Sequence, residues 1–142
     1  MRFMMIMIPK GYETAEGFMD GVPIVEAAAK MMEYNRSMQK AGVLLALDGL
    51  FPPSTGARVS FTEGKATVTD GPFAEAKEVI GGFWIVQARS REEAIEWAKR
   101  APMANNEIVE VRQIHEVSNF PADVRKSLEG LENLPNAAAA KA

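Results

Sequence analysis

Between Thr69 and Trp84 the sequence TDGPFAEAKEVIGGFW gathers the carboxylates Asp70, Glu75 and Glu78 and the amine of Lys77 around a Gly-Pro turn and a glycine pair. Two readings of this cluster stand side by side. In the structural one, Pro72 has no amide proton and restricts its predecessor, and Gly71 tolerates unusual dihedrals. Asp70 then accepts from nearby backbone amides, and Phe73 plugs into the core below. In the functional one, Asp70, Glu75, Lys77 and Glu78 stand at the rim of a cleft. Partial burial there tunes a carboxylate, Asp70 first, into a general base, or Lys77 into an anchor for an anion.

Other residues offer chemistry at longer range. Glu110 and Arg112 are two apart in a strand and share a face, so Arg112 either holds a ligand carboxylate in a bidentate pair or is satisfied by Glu110 or a cross-strand acid. Asp48, in LDGL, is a turn residue or a contributor to the same cleft, and Trp84 is a core residue or a cleft wall. His115 is the sole histidine, and without a placed base or co-ligands it reads as structural or surface. A serine nucleophile has no recognisable triad context. Gly81-Gly82 lacks phosphate-loop spacing and marks a bulge or a close backbone approach. No spacing argues for a metal, and no cofactor is expected.

The whole composition narrows the classes further. With 142 residues and 47% apolar content the chain suits one domain with a real core. A net charge of −3 offers no broad attraction for nucleic acid or an anionic membrane, and neither partner is expected. The absence of cysteine removes disulfides and thiolate chemistry, which suits a cytoplasmic protein. The opening MRFMMIMIPK has an apolar run too short for a signal peptide or a membrane span and reads as a buried strand.

The elements that must position these residues follow from periodicity and punctuation. Phe3 to Ile8 is an unbroken apolar strand. From Ile24 apolar residues recur at Ala27, Ala28, Met31, Tyr34, Met38 and Ala41, a helix between Pro23 and Gly42, while Gly11 to Gly21 is an ordered loop or a flap. Val43 to Leu47 is a second strand, broken by Asp48-Gly49. Arg58–Thr62 and Lys65–Thr69 form a hairpin about Glu63-Gly64, with Val59, Phe61, Ala66 and Val68 as its apolar positions. Val79 to Ala88 is a strand with Phe83 and Trp84 on opposite sides. Ser90 and Glu93 make a capping box for a helix buried along Ala94, Trp97, Ala98 and Ala101, with Lys99 and Arg100 in its last turn before Pro102. Ile108 to Ile114 is the last strand, Asp123 to Leu131 adds a short helix, and the NAAAAKA tail is frayed.

With the hairpin treated as an insertion, the order is β-α-β-β-α-β, the ferredoxin-like α+β arrangement with both helices on one sheet face. The other face, with an aromatic on it, calls for a cover, and a second copy packed sheet to sheet supplies one.

The segments RFMMIMI, YNRSMQKAGVLLALDGL, GARVSF, KATVTDGPFAEAKEVIGGFW, AIEWAKRAP and IVEVRQI, in this order, resemble the YCII-related family and its subgroup named for the DGPF motif. The likeness covers residues 1–117, the expected domain, leaving 118–142 as a C-terminal extension. It implies a dimeric α/β barrel. Some relatives look like small enzymes that act on organic acids or aromatic intermediates through a His and Asp pair. On this chain those positions fall near Met31 and at Ala101, neither of which moves a proton. Many DGPF relatives accompany sigma factors of the extracytoplasmic-function type. The expected activity is binding of a small anionic or polar molecule, with acid/base chemistry on an organic acid or phenol by Asp70 or a neighbouring Glu, helped by Lys77 or Arg112. The competing expectation is a non-catalytic regulatory module linked to such a sigma factor.

Overall fold

The computed structural model describes residues 1–12, 24–73 and 78–135. Among the described residues, six strands and three α-helices follow in the order β1 (Arg2–Ile8), α1 (Ile24–Lys40), β2 (Leu44–Gly49), β3 (Ala57–Thr62), β4 (Lys65–Asp70), β5 (Gly82–Gln87), α2 (Arg91–Ala98), β6 (Ile108–Gln113) and α3 (Ala122–Ser127). Four of the strands form a sheet in the order β2-β5-β1-β6, every neighbouring pair antiparallel, while β3 and β4 form a separate two-stranded sheet. The fold is the ferredoxin-like α+β arrangement with an inserted hairpin.

Alternation along the strands sorts the side chains between the two faces. Phe3 and Met5 of β1 and Trp84 and Val86 of β5 point to the helix side, where they meet Tyr34 and Met38 of α1 and Ala94 of α2 in one buried cluster. Met7, Val109 and Val111 pack against its margin. The opposite face carries Met4, Ile6, Phe83 and Ile85, with Ile6 directly across from both Phe83 and Glu110.

Helix α1 ends in a Schellman motif. Gly42 takes φ 72°, and the amides of Gly42 and Val43 donate to the carbonyls of Gln39 and Met38. Its buried stripe is shorter than the apolar spacing implies: Tyr34 and Met38 are buried, whereas Ala27, Ala28 and Ala41 are exposed. Only the stretch that crosses the β-sheet core finds apolar partners. The Gly11 to Gly21 loop, from residue 13 onward, lies outside the described residues, as does the tail after Pro135.

Several boundaries differ from expectation. β2 continues through Asp48 and Gly49, because β5 runs alongside it as far as the Gly49–Gly82 pair. β5 begins only at Gly82. The Gly81 carbonyl still accepts from Leu50 in the β2 register, but its amide donates to Met7, whose partner in the β1 ladder is Gly82. Helix α2 ends at Ala98, so Lys99 and Arg100 follow its last turn instead of filling it. At its start the Ser90 hydroxyl accepts from the Glu93 amide at 3.1 Å, but the Glu93 carboxylate accepts from the amide of Arg89, one residue further back than a capping box requires. The final helix is the short α3, followed by a 3-10 turn at Leu131–Asn133.

The hairpin turns through Glu63 and Gly64, both at positive φ (50° and 76°), which is the primed geometry that matches strand twist. Val59 lies opposite Val68 and Phe61 opposite Ala66, so the apolar positions share a face, and every residue of both strands is exposed. Phe73 does not join the core. It is half-buried, with the Arg58 guanidinium 3.9 Å from its ring centroid.

Candidate functional site

A pocket of about 100 Å³ opens at the end of the β2–β5 pair, lined by Met7, Met31, Asn35, Leu47, Asp48, Gly49, Gly82, Phe83 and Trp84. The glycine pair contributes by closeness. A Cβ on Gly82 would stand 2.8 Å from the Asp48 carbonyl oxygen and 3.4 Å from Gly49 Cα, so β2 and β5 meet there only because side chains are absent. The close approach expected at Gly81-Gly82 is present, whereas the register irregularity of this pair sits in β2, between Leu44 and Ala46.

Trp84, 4% exposed, forms one wall of the pocket and is held by two partners. Its Nε1–H donates to Asn35 Oδ1 at 2.8 Å, and its ring meets that of Tyr34 edge to face, with centroids 5.6 Å apart at 88°. Tyr34 in turn donates its hydroxyl to the carbonyl of Trp97 at 2.8 Å, tying α1 to α2. Burial pushes the Tyr34 phenol up to about 12, against the lowering influence of Arg100, so the hydroxyl keeps its proton for this bond well into the alkaline range. On the other side of the same region, the Tyr12 hydroxyl donates to the Leu50 carbonyl, and burial raises that phenol as well.

Of the sequence candidates, the structure brings Asp48 and Trp84 to this pocket. Asp70 ends β4, opposite Ala57, and is exposed. Its neighbour Gly71 precedes a cis Pro72 and fits where a Cβ would come within 1.8 Å of the Pro53 carbonyl oxygen. Glu78 is exposed; Glu75 and Lys77 lie outside the described residues. Glu110 and Arg112 are exposed on the sheet face away from the helices, opposite Ile6 and Met4, and among the described residues neither has an ion-pair partner. They sit on the β6 edge and Asp48 on the β2 edge, three strand spacings or about 14 Å apart. His115 is exposed beside Phe120, with ring centroids 5.1 Å apart. Among the described residues no three His, Asp or Glu side chains converge as a metal would require, and no helix is long and apolar enough to cross a membrane.

Asn35 was not among the residues singled out from the sequence. A polar side chain beside the buried Tyr34, four residues after Met31, was the available signal. Its partner Trp84 is 49 residues away, which no local pattern shows.

Residues 1–118 match the family profile described as the YCII-related domain. The chain belongs to the YCII-related family. A 70-residue stretch is also 36% identical to an uncharacterized protein of Rhizobium meliloti (strain 1021), covering 49% of this chain and 56% of that relative. In this family member, the two positions to which the resemblance assigned a His and an Asp fall in different places. Met31 lines the pocket described above, while Ala101 lines a separate groove between α2 and β6.

Proposed function

We propose that this YCII-related chain is a cytoplasmic small-molecule-binding protein whose ligand is a compact phenolic compound seated in the pocket at the β2–β5 end. The supporting observation is the lining itself. Met7, Met31, Leu47 and Trp84 supply apolar surface and Asn35 a polar side chain, while Asp48 and Phe83, paired across the strands, border the pocket with their side chains on the other sheet face. An apolar cavity of about 150 Å³ accommodates benzene, so a pocket of this order suits one ring. With its Oδ1 occupied by Trp84, Asn35 keeps an amide NH₂ for a ligand oxygen. A phenol oxygen meets that demand as an acceptor. A benzoate would bring a full charge into a mostly apolar lining that offers no cation, so the neutral phenol is favoured over the organic acid.

In this reading Asp70, Glu78, Glu110 and Arg112 stand outside the pocket lining, and Asp48 borders it through the β2 backbone. A homodimer paired through the sheet faces belongs to the same proposal, supported by the apolar row Met4, Ile6, Phe83 and Ile85. The second reading, a regulatory module that contacts an extracytoplasmic-function sigma factor, is favoured by the hairpin face on which Val59, Phe61 and Val68 are 54%, 76% and 65% exposed.

Calorimetric titration with phenol, p-cresol and benzoate tests the pocket in the wild type and Met31→Trp. Phenols should bind the wild type, lose at least tenfold in affinity in Met31→Trp, which fills the pocket, and outcompete benzoate. Equal binding to Met31→Trp, or a preference for benzoate, would refute the assignment.

A further inference from the structure

The groove between α2 and β6 to which Ala101 belongs has a volume of about 540 Å³ and shares no lining residue with the phenol pocket. That volume lies within the range of small-molecule sites. The groove follows from how α2 is seated. Ala94, small and fully buried, brings the helix down onto Phe3 and Met5 of β1, while β6 lies beyond β1 at the margin of the sheet. The helix therefore covers Val109 and Val111 only in part, and both are half-buried. Across from them, Arg91, Ile95 and Ala98 recur at helical spacing along one side of α2, and Met103 adds its thioether from the loop beyond.

The charged residues of the groove are not equivalent. β5 and β6 are both antiparallel to β1, so α2, which joins them, runs back along β6. Lys99 and Glu107 therefore share one end, and Arg91 stands roughly 12 Å away along the helix at the other. At the first end the charges are committed. Lys99 Nζ lies 2.7 Å from a Glu96 carboxylate oxygen, and the Glu107 carboxylate accepts from the Ala104 amide at 2.7 Å. The Arg91 guanidinium approaches Glu92 only to 3.7 Å, too far for a hydrogen bond, and among the described residues its donors have no acceptor. A contact of that kind between two exposed side chains contributes little, so an incoming anion displaces it at small cost.

We infer that this groove binds an amphipathic organic acid, its carboxylate paired with Arg91 and its hydrocarbon chain laid along Ile95, Val109, Val111 and Met103. The planar guanidinium offers a carboxylate two parallel hydrogen bonds, and the half-covered side chains gain from further burial. Charge sets the direction. A reversed acid would bring its carboxylate to the end held by Glu107. The inference is independent of the phenol pocket, whose lining contains no cation.

Octanoate is the probe, and calorimetric titration should show one molecule bound per chain. In the series butanoate, hexanoate and octanoate, each step of two half-covered methylenes should tighten binding about fourfold. Octanamide keeps the chain without the charge and should bind about fivefold more weakly than octanoate; Arg91→Gln should lower octanoate to the same level. Lys99→Gln should change octanoate affinity by less than about twofold. Ile95→Glu sets a carboxylate against the chain and should abolish binding. Ile95 is outside the buried cluster, so the fold is kept, which the urea midpoint checks. In methyl spectra octanoate should shift the signals of Ile95, Val109 and Val111 and leave those of Met7 and Met31 in place. Met31→Trp, which fills the phenol pocket, should bind octanoate as the wild type does. Absence of binding at millimolar octanoate, equal affinity for octanoate and octanamide, or a larger loss in Lys99→Gln than in Arg91→Gln would overturn the inference. Binding lost in Met31→Trp and kept in Ile95→Glu would overturn it too, by moving the acid to the phenol pocket.

Discussion

Replacing Asn35 by leucine tests the wall of the pocket. The Trp84 indole is 4% exposed, and its N–H has Asn35 Oδ1 as its partner at 2.8 Å. Leucine is close to asparagine in size, so the change removes the acceptor without opening much of a cavity. A net hydrogen bond contributes about 1 kcal/mol, and leaving a buried donor unpaired costs about 1–3 kcal/mol, so a loss of about 2 kcal/mol is expected. For a domain of this size that is a fall in Tm of about 6–10 °C. Urea unfolding followed by circular dichroism gives the free energy without relying on the altered tryptophan. Trp84→Phe, and then the double variant, completes a cycle that isolates the pair, for which a coupling of at least about 1 kcal/mol is expected. A coupling below about 0.5 kcal/mol would show that the indole finds water or another acceptor, and the account of how the pocket wall is held would fail.

Gly71→Ala should cost about 1–3 kcal/mol, since the added Cβ meets the Pro53 carbonyl oxygen at 1.8 Å and the Gly71 amide must leave the Gly56 carbonyl it now reaches at 2.9 Å; an unchanged urea midpoint would refute this. Both tyrosines should ionise above their ordinary value of 10, with Tyr34 near 12, in an ultraviolet titration of the folded protein. For Tyr34 the folded value is the raised one, so its contribution to stability is complete below pH 10 and is lost as pH rises through about 12; Tyr34→Phe should remove the late step. At the acid end, hydrogen bonds from Arg2 at 2.8 and 3.1 Å hold Glu116 below its ordinary 4.5. That lowered value stabilises the fold above pH 4.5 and ceases to do so as pH falls through it. Glu116→Gln should therefore flatten the stability–pH curve below 4.5 and leave the alkaline limb alone, which paired urea titrations would show.

The features legible in the sequence were those closed over a few residues. Ser90 caps α2 and Gly42 terminates α1, because each satisfies backbone groups within one turn of itself. Glu63-Gly64 makes the hairpin for the same local reason. The apolar runs placed Phe3, Met5, Trp84 and Val86 in strands, and alternation put Phe83 and Trp84 on opposite faces. Element ends were less legible: Asp48-Gly49 has the composition of a turn, yet β5 alongside keeps it in a strand. Of the residues that line the pocket, Asp48 and Trp84 were among those singled out from the sequence and Asn35 was not. A hydrogen bond across 49 residues leaves no trace in local spacing.

By itself, then, the sequence determined the periodicities, the stops and the charge alternation of Glu110 and Arg112, all of which depend on neighbours along the chain. The tertiary structure decided which strand became an edge, that Gly49 and Gly82 would meet, and that Met7, Met31, Asn35 and Trp84 would surround one space. Those outcomes arise when distant segments compete to bury the same apolar surface and satisfy the same backbone groups. The competition is settled by the packing of the whole domain, and no short window of residues contains it.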